Sequence, residues 1–161
     1  MKRALVLFAE GIGVVLFWLA WPAYQVYFRR GERTRVLLVD GEKTLVLKGW
    51  VSDGTWNLAG GGLHQQEDPA VGAIREVQEE TGLALDASQL QYMGKATYHK
   101  AGLHFAYHRF FAAVSTAQPL ARQRHEIAEM QWVPIGSLTP KNASQEVHDC
   151  IAAARANRLL Q

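Results

Sequence analysis

The sequence lacks several features that would assign a function at once. Its single cysteine, Cys150, excludes an intrachain disulfide and agrees with a reducing compartment. Lys and Arg number 17 against 15 Asp and Glu, and a formal net charge of +2 gives no extended basic surface for nucleic acid. There is no P-loop, no G-x-S-x-G turn and no complete G-x-G-x-x-G. No motif therefore indicates a P-loop nucleotidase, a serine hydrolase or a dinucleotide-binding domain.

Charged residues are also absent from residues 11–28, the longest uncharged run of the chain. As a helix this run would be about 27 Å long, close to the roughly 30 Å hydrocarbon core of a bilayer. Glu10 can lie at one interface, which avoids the cost of a carboxylate at the bilayer centre. We expect residues 4–28 to form one transmembrane-like helix, within a hydrophobic membrane anchor of residues 1–30. Aromatic side chains crowd its second end, as at membrane interfaces: Trp18, Trp21, Tyr24 and Tyr27.

Basic residues flank this segment on both sides and predict its orientation. Lys2 and Arg3 precede it, but more positive charge follows it, so the positive-inside rule places the C-terminal domain in the cytoplasm. Two alternatives stay open. A cleaved signal peptide has the same basic start, although no clean A-x-A site is present. A soluble core helix is the other, although a helix that is apolar on all sides needs a large interior.

The rest of the chain, residues 31–161, alternates strand-like and helix-like patterns. Two β-branched runs, Arg35–Val39 and Thr44–Lys48, predict a hairpin that turns at Asp40-Gly41. Three further runs predict strands at Leu90–Lys100, Leu103–Val114 and Met130–Pro134. Strands mixed with two helices indicate an α/β domain whose helices pack on a sheet.

Two helices are predicted from their end signals. Asp68-Pro69 is typical of an N-cap followed by proline at the first helical position, and Gly82 would end this helix after about Thr81. Asn142 or Ser144 would cap a final helix that reaches Leu160. Its inner face would carry Val147, Ile151 and Ala154, and we interpret Cys150 as another core residue of this helix.

Three glutamates of the first helix carry the chemistry. At about 100° per residue, Glu76, Glu79 and Glu80 fall within roughly a 100° arc of the helix surface. Like charges at this spacing repel one another, and a hard divalent cation such as Mg²⁺ would offset the repulsion while leaving room for substrate phosphates. The alternative is an ordinary solvated helix face.

The loop before this helix adds a second element. Three consecutive glycines, residues 60–62, let the backbone approach a ligand closely. Glu67 can fold back toward the glutamates, and Arg75 can hold one of them by a bidentate pair. Loop and helix together resemble the Nudix box, because every fixed position of that box is matched: Gly61-x5-Glu67-x7-Arg75-Glu76-Val77-x-Glu79-Glu80-x-Gly82-Leu83.

The resemblance to the Nudix family implies a fold and a reaction. The fold would be an α/β/α sandwich around a mixed β-sheet. The reaction would be hydrolysis of a nucleoside diphosphate linked to another group, with Mg²⁺ or Mn²⁺ as cofactor and no nucleic acid as partner. The alternative is a non-catalytic Nudix domain that binds a nucleotide as a membrane-tethered sensor or regulator. The oligomeric state is not predicted.

Site roles follow from the resemblance position by position. Glu79 and Glu80 would be the main metal ligands, and Glu76 a further ligand or the general base. Glu67 would orient the metal-bound water, and Arg75 would brace the carboxylates.

Residues beyond these fixed roles are weaker candidates. In this family the base often lies outside the box, which makes Glu126 and Glu129 additional candidates, with a solvated turn as the alternative for both. The expected substrate-binding residues are Gly61, Gly62, Trp56 and Lys48, with core packing as the alternative for Trp56 and simple solvation for Lys48.

Overall fold

The sheet has five strands and is mixed. The computed structural model describes residues 12, 15–20, 31–100, 103–123 and 125–160. The strands are β1 (Arg33–Asp40), β2 (Lys43–Gly49), β3 (Gln91–Lys100), β4 (Leu103–Ala113) and β5 (Ile127–Pro134). They lie in the order β3-β4-β1-β2-β5, with β1 antiparallel to β2 and parallel to β4. This confirms the predicted hairpin and the mixed sheet.

Each face of the sheet is covered by one helix. Helix α1 spans Pro69–Thr81 and helix α2 spans Gln145–Ala156. Successive residues of β1 point to opposite faces, so Val36 packs toward α1 while Leu37 packs toward α2. Cys150 of α2 is fully buried in the same hydrophobic cluster as Leu37, as predicted. Two 3₁₀ turns, Ala87–Gln89 and Ile135–Ser137, and a helical stretch over residues 15–20 are further regular elements of the described residues.

Helix α1 has the predicted bounds because local signals set both ends. The Asp68 carboxylate accepts hydrogen bonds from the N–H groups of Ala70 and Val71, and Pro69 follows it. At the other end Gly82 takes a left-handed φ of 76°, and its N–H donates to the Gln78 carbonyl. The face that carries Glu76, Glu79 and Glu80 is therefore placed as the sequence predicted.

Helix α2 ends earlier than predicted, at Ala156 rather than at Leu160. Arg158 adopts a left-handed φ of 59°, and the Leu159 N–H donates to the Ala154 carbonyl at 2.9 Å, so the chain turns off the helix axis. The turn lets Leu159 and Leu160 pack against the core. Ser144 is the N-cap residue, but its side chain makes no capping hydrogen bond.

The predicted anchor lies mostly outside the described residues. Residues 15–20 are helical, and no helix within the described part of the chain is long and apolar enough to cross a membrane.

Candidate active site

Arg75 holds three carboxylates and the glycine loop around one guanidinium group. Its Nε and Nη2 each lie 2.9 Å from one oxygen of Glu67, which forms a bidentate pair. Its Nη1 donates to Glu76 Oε1 at 2.9 Å and reaches Glu79 Oε2 at 3.4 Å. Nη2 also donates to the Gly62 carbonyl at 3.1 Å. The loop and the acidic face of α1 are thus joined through Arg75.

The charges of this network are strongly stabilised. The hydrogen bonds from Arg75 and from the His64 N–H lower the pKa of Glu67 to about 2. The same pairing raises the pKa of Arg75 above its ordinary value. Both oxygens of Glu67 accept hydrogen bonds from the protein, and the carboxylate is ionised at neutral pH.

Glu80 lies in a different environment from Glu67. Its Oε2 accepts a hydrogen bond from the Gly60 N–H at 2.9 Å. Burial raises the pKa of Glu80 from 4.5 to about 7, and the negative charges of Glu76 and Glu126 add to this effect. The carboxylates of Glu76 and Glu126 therefore act on Glu80, and Arg35 and the Gly60 N–H compensate them only in part.

The glycine loop is hydrogen-bonded to β1, and two of its glycines leave no space for a side chain. The Thr34 N–H donates to the Gly61 carbonyl at 2.9 Å. Gly60 has a φ of 135°, and a Cβ there would lie 2.3 Å from the Thr34 carbonyl oxygen. A Cβ at Gly61 would lie 2.4 Å from Glu76 Oε1, whereas one at Gly62 would meet nothing closer than 4.0 Å. Gly61 therefore provides the space that the Glu76 carboxylate occupies.

Arg35 and Glu146 form a buried ion pair beside the site that the sequence reasoning missed. Arg35 Nε lies 2.7 Å from Glu146 Oε1, and each side chain is at most one-tenth exposed. Arg35 Nη1 also donates to the carbonyls of Thr34 and Gly60, at 2.8 Å each. The available signal is a charged residue, Arg35, at the start of an otherwise apolar strand run.

A cavity of about 440 Å³ opens beside Glu80. Its volume lies within the range of small-molecule sites. The residues that line it include Glu126 from the loop before β5 and the Arg35–Glu146 pair. Phe17, from the helical residues 15–20, lines it as well.

Of the remaining predicted site residues, one lines the cavity and three lie together elsewhere. Glu126 lines the cavity near Glu80. Glu129 instead lies on β5 opposite Lys48, with 3.8 Å between Glu129 Oε2 and Lys48 Nζ. Lys48 Nζ lies 4.0 Å from the centre of the Trp56 ring, and Trp56 is buried in the core. Its packing matches the core alternative, and Lys48, Trp56 and Glu129 form a group outside the lining of the cavity.

The donor set suits a hard divalent cation. Among the residues that the structure describes, no three His, Cys, Asp or Glu side chains are already arranged as a metal cluster. Glu76 and Glu79 contact Arg75, and Glu80 accepts from Gly60. All the candidate donors are carboxylate oxygens, which Mg²⁺ and Mn²⁺ prefer. Burial, together with the charges of Glu76 and Glu126, raises the pKa of Glu80, and a bound cation would offset the cost of ionising it.

Comparisons with known proteins agree with this geometry. Residues 22–153 match the NUDIX domain family, and the match begins inside the predicted anchor. The chain is 31% identical over 106 residues to Nudix hydrolase 7 of Arabidopsis thaliana. The matched segment covers 65% of this chain but only 36% of that protein.

Solved structures show the same fold. The MutT NUDIX hydrolase of Burkholderia pseudomallei has a TM-score of 0.67 at 17% identity, with 76% of this chain and 96% of that one covered. A C. elegans Ap4A hydrolase binary complex has a TM-score of 0.66 at 16% identity, and the match covers 80% of this chain and 98% of that one.

Proposed function

The chain belongs to the NUDIX family, and we propose that it is a divalent-metal-dependent pyrophosphohydrolase that cleaves the diphosphate bond of a nucleotide-type substrate. The observation that carries the proposal is the cluster of carboxylates on α1, which Arg75 ties to the glycine loop beside a cavity of suitable size. The Ap4A hydrolase of similar fold acts on a nucleotide, which supports the same substrate class here.

The residues have distinct proposed roles. Glu76, Glu79 and Glu80 would hold Mg²⁺ or Mn²⁺, which when bound neutralises charge on phosphoryl oxygens and lowers the pKa of a bound water. Arg75 keeps the loop and the carboxylates in register. The described contacts of Glu67 are with Arg75 and the His64 N–H, so they favour a positioning role over the orientation of a water. Glu126, at the cavity, accepts the proton of the attacking water.

Hydrolysis by the full chain tests the proposed function. The purified chain is incubated with Mg²⁺ and a panel of nucleoside diphosphate derivatives, and the products are separated by anion-exchange chromatography. We expect a nucleoside monophosphate and a phosphorylated second product, with no turnover in EDTA. Tight nucleotide binding without turnover would contradict catalysis and leave a nucleotide-binding sensor or regulator as the function.

Gly61→Ala is expected to lower kcat at least about tenfold with little loss of stability. The added Cβ would collide with the carboxylate of Glu76, which is the mobile end of a side chain and can move away. The cost therefore falls on the position of Glu76 rather than on the fold. Gly62→Ala is the matched control because its Cβ would enter open space. Equal kcat values for the two variants would contradict the placement of Glu76.

We also propose that residues 4–28 tether the hydrolase domain to the cytoplasmic face of a membrane. The support is the uncharged run 11–28 and the excess of basic residues after it. A span over residues 4–28 would take Phe17 into the bilayer, so it excludes the contact of Phe17 with the cavity. After expression of the full chain, retention in carbonate-washed membranes would support the tether, and release into the supernatant would contradict it.

A further inference from the structure

The cavity beside Glu80 contains a polar group that the proposed chemistry does not use. Ser144 is 7% exposed, and its Oγ is buried without a hydrogen-bond partner among the described residues. A buried hydroxyl without a hydrogen-bond partner is unfavourable for the fold and is rare in native proteins, so a partner supplied by a bound molecule would account for it. Ser144 also lines the cavity, which places the hydroxyl where a bound molecule can supply the missing partner.

The position of Ser144 in its helix makes the missing bond more informative. Ser144 is the N-cap of α2, where a serine oxygen ordinarily accepts from the N–H groups of the first turn. Here the side chain makes no capping bond, although the Val147 N–H reaches the Ser144 carbonyl at 3.2 Å. The hydroxyl is therefore not engaged by its own helix.

Glu146 adds acceptor capacity to the same part of the cavity. It is 4% exposed and lines the cavity, and the ion pair with Arg35 is its one polar side-chain contact within the described residues. A carboxylate can accept about four hydrogen bonds, so acceptor capacity is left. Arg35 is fixed by the carbonyls of Thr34 and Gly60, so the pair is held rigidly.

Two aromatic rings and a guanidinium group line the same cavity. The rings of Tyr98 and Phe105 lie parallel, with centroids 4.9 Å apart and an angle of 16° between their planes. The Arg33 guanidinium lies 5.6 Å from the centre of the Phe105 ring. All three side chains line the cavity. Aromatic and guanidinium planes stack well on the faces of planar rings.

We propose that the Ser144–Glu146 end of the cavity binds the base of the nucleotide and selects a base with an exocyclic amino group next to a ring nitrogen. The Glu146 carboxylate accepts from the amino group, and the Ser144 hydroxyl donates to the ring nitrogen. Adenine, cytosine and guanine present such an edge. Uracil presents two carbonyl oxygens on either side of its N3–H, so it cannot offer an amino proton to the carboxylate and an unprotonated ring nitrogen to the hydroxyl at the same time. This inference rests on the proposed function and specifies its substrate class.

Four substrates that differ only in the base test the selection. The full chain with Mg²⁺ is assayed on ADP-, CDP-, GDP- and UDP-glucose. We expect kcat/KM for UDP-glucose to be at least about tenfold below that of the best of the other three, because an unmatched buried polar group rejects a ligand strongly. Equal kcat/KM values for all four would overturn the proposal while leaving diphosphate hydrolysis intact.

Variants separate base selection from a structural effect. Ser144→Ala should raise KM for the best amino-bearing substrate about tenfold, with kcat and the KM for UDP-glucose unchanged. Its Tm should not fall, because the lost hydroxyl has no partner. Ser137→Ala, at an exposed serine outside the cavity lining, should change neither kcat nor KM for any of the four substrates. An equal rise of KM for all four substrates in Ser144→Ala would overturn the proposal.

Glu146→Gln provides a second test, because an amide can donate to a carbonyl oxygen. It should reduce or invert the preference against UDP-glucose. If none of the four substrates is hydrolysed, calorimetry with ADP, CDP, GDP and UDP decides base selection, and the wider panel of nucleoside diphosphate derivatives decides the proposed function separately. Weaker binding of UDP than of the tightest of the other three would support the selection, and equal affinities would overturn it.

Discussion

Glu80→Gln is expected to lower kcat by about 10³-fold and to make the metal-free protein more stable at pH 8. The loss of activity follows from the loss of a charged metal ligand at the position where carboxylates converge. Glutamine keeps the size of the side chain and an oxygen that can accept from the Gly60 N–H. The loop geometry should therefore survive the substitution.

The gain in stability follows from the direction of the pKa shift. Below pH 4.5, Glu80 is protonated in both the folded and the unfolded chain, and the fold bears no cost. Between pH 4.5 and about 7 the unfolded chain releases this proton while the folded chain keeps it, because burial disfavours the charge, so stability falls over this range and the loss is complete above about pH 7. Glutamine removes this loss, which is on the order of 2 kcal/mol at pH 8 once the partial solvent access of Glu80 is taken into account.

Chemical denaturation in EDTA at pH 5 and pH 8 measures this effect. The difference in free energy of unfolding between Glu80→Gln and the unmodified chain should be small at pH 5 and should favour the variant at pH 8. Saturating Mg²⁺ should reverse the order, because a cation that binds only the folded state stabilises it. A variant that retains full activity, or that is less stable at both pH values, would contradict the role assigned to Glu80.

Glu126→Gln is expected to lower kcat about 100-fold, at the lower end of the contribution of general acid–base catalysis. Glu126 lines the cavity, its side chain is 63% exposed, and its charge raises the pKa of Glu80. It can therefore meet a water beside the carboxylates without being one of the α1 ligands. Because the residue is exposed, the substitution should leave Tm almost unchanged.

Glu129→Gln is the matched control for this base assignment. Glu129 faces Lys48 on the neighbouring strand, and an exposed ion pair of this kind contributes about 0–1 kcal/mol. We expect its kcat to stay within about twofold of the unmodified chain. If Glu126→Gln is fully active, the proton must go to another group, and Glu76 of α1 becomes the base.

The parts of the fold that were predictable depend on local signals. Asp68, Pro69 and Gly82 define α1 through backbone hydrogen bonds within a few residues of each other, so its bounds could be read from the sequence. The end of α2 depends instead on packing of Leu159 and Leu160 against the core, which Arg158 makes possible by its left-handed backbone. Asn157 gives a weak local signal for this end, because its Nδ2 donates to the Ala153 carbonyl at 2.8 Å, but nothing in the sequence indicates the packing of the two leucines.

The same distinction applies to the site. Glu67, Arg75 and Glu76 belong to one spaced motif, so their proximity could be inferred from the sequence. Arg35 and Glu146 meet only because β1 and the start of α2 come together in the fold, and neither residue belongs to a motif. Sequence reasoning also had no means to choose between Glu126 and Glu129, because the choice depends on which of them faces Lys48 across β2 and β5.

Binding of Mn²⁺ to the full chain, followed by electron paramagnetic resonance, tests the central claim most directly. If the carboxylates of α1 grip a divalent ion, one Mn²⁺ should bind in the submillimolar range, Mg²⁺ should displace it, and Glu80→Gln should weaken its affinity at least about tenfold. Glu129→Gln should bind it normally. No uptake at millimolar Mn²⁺, or the same affinity in Glu80→Gln, would contradict the account.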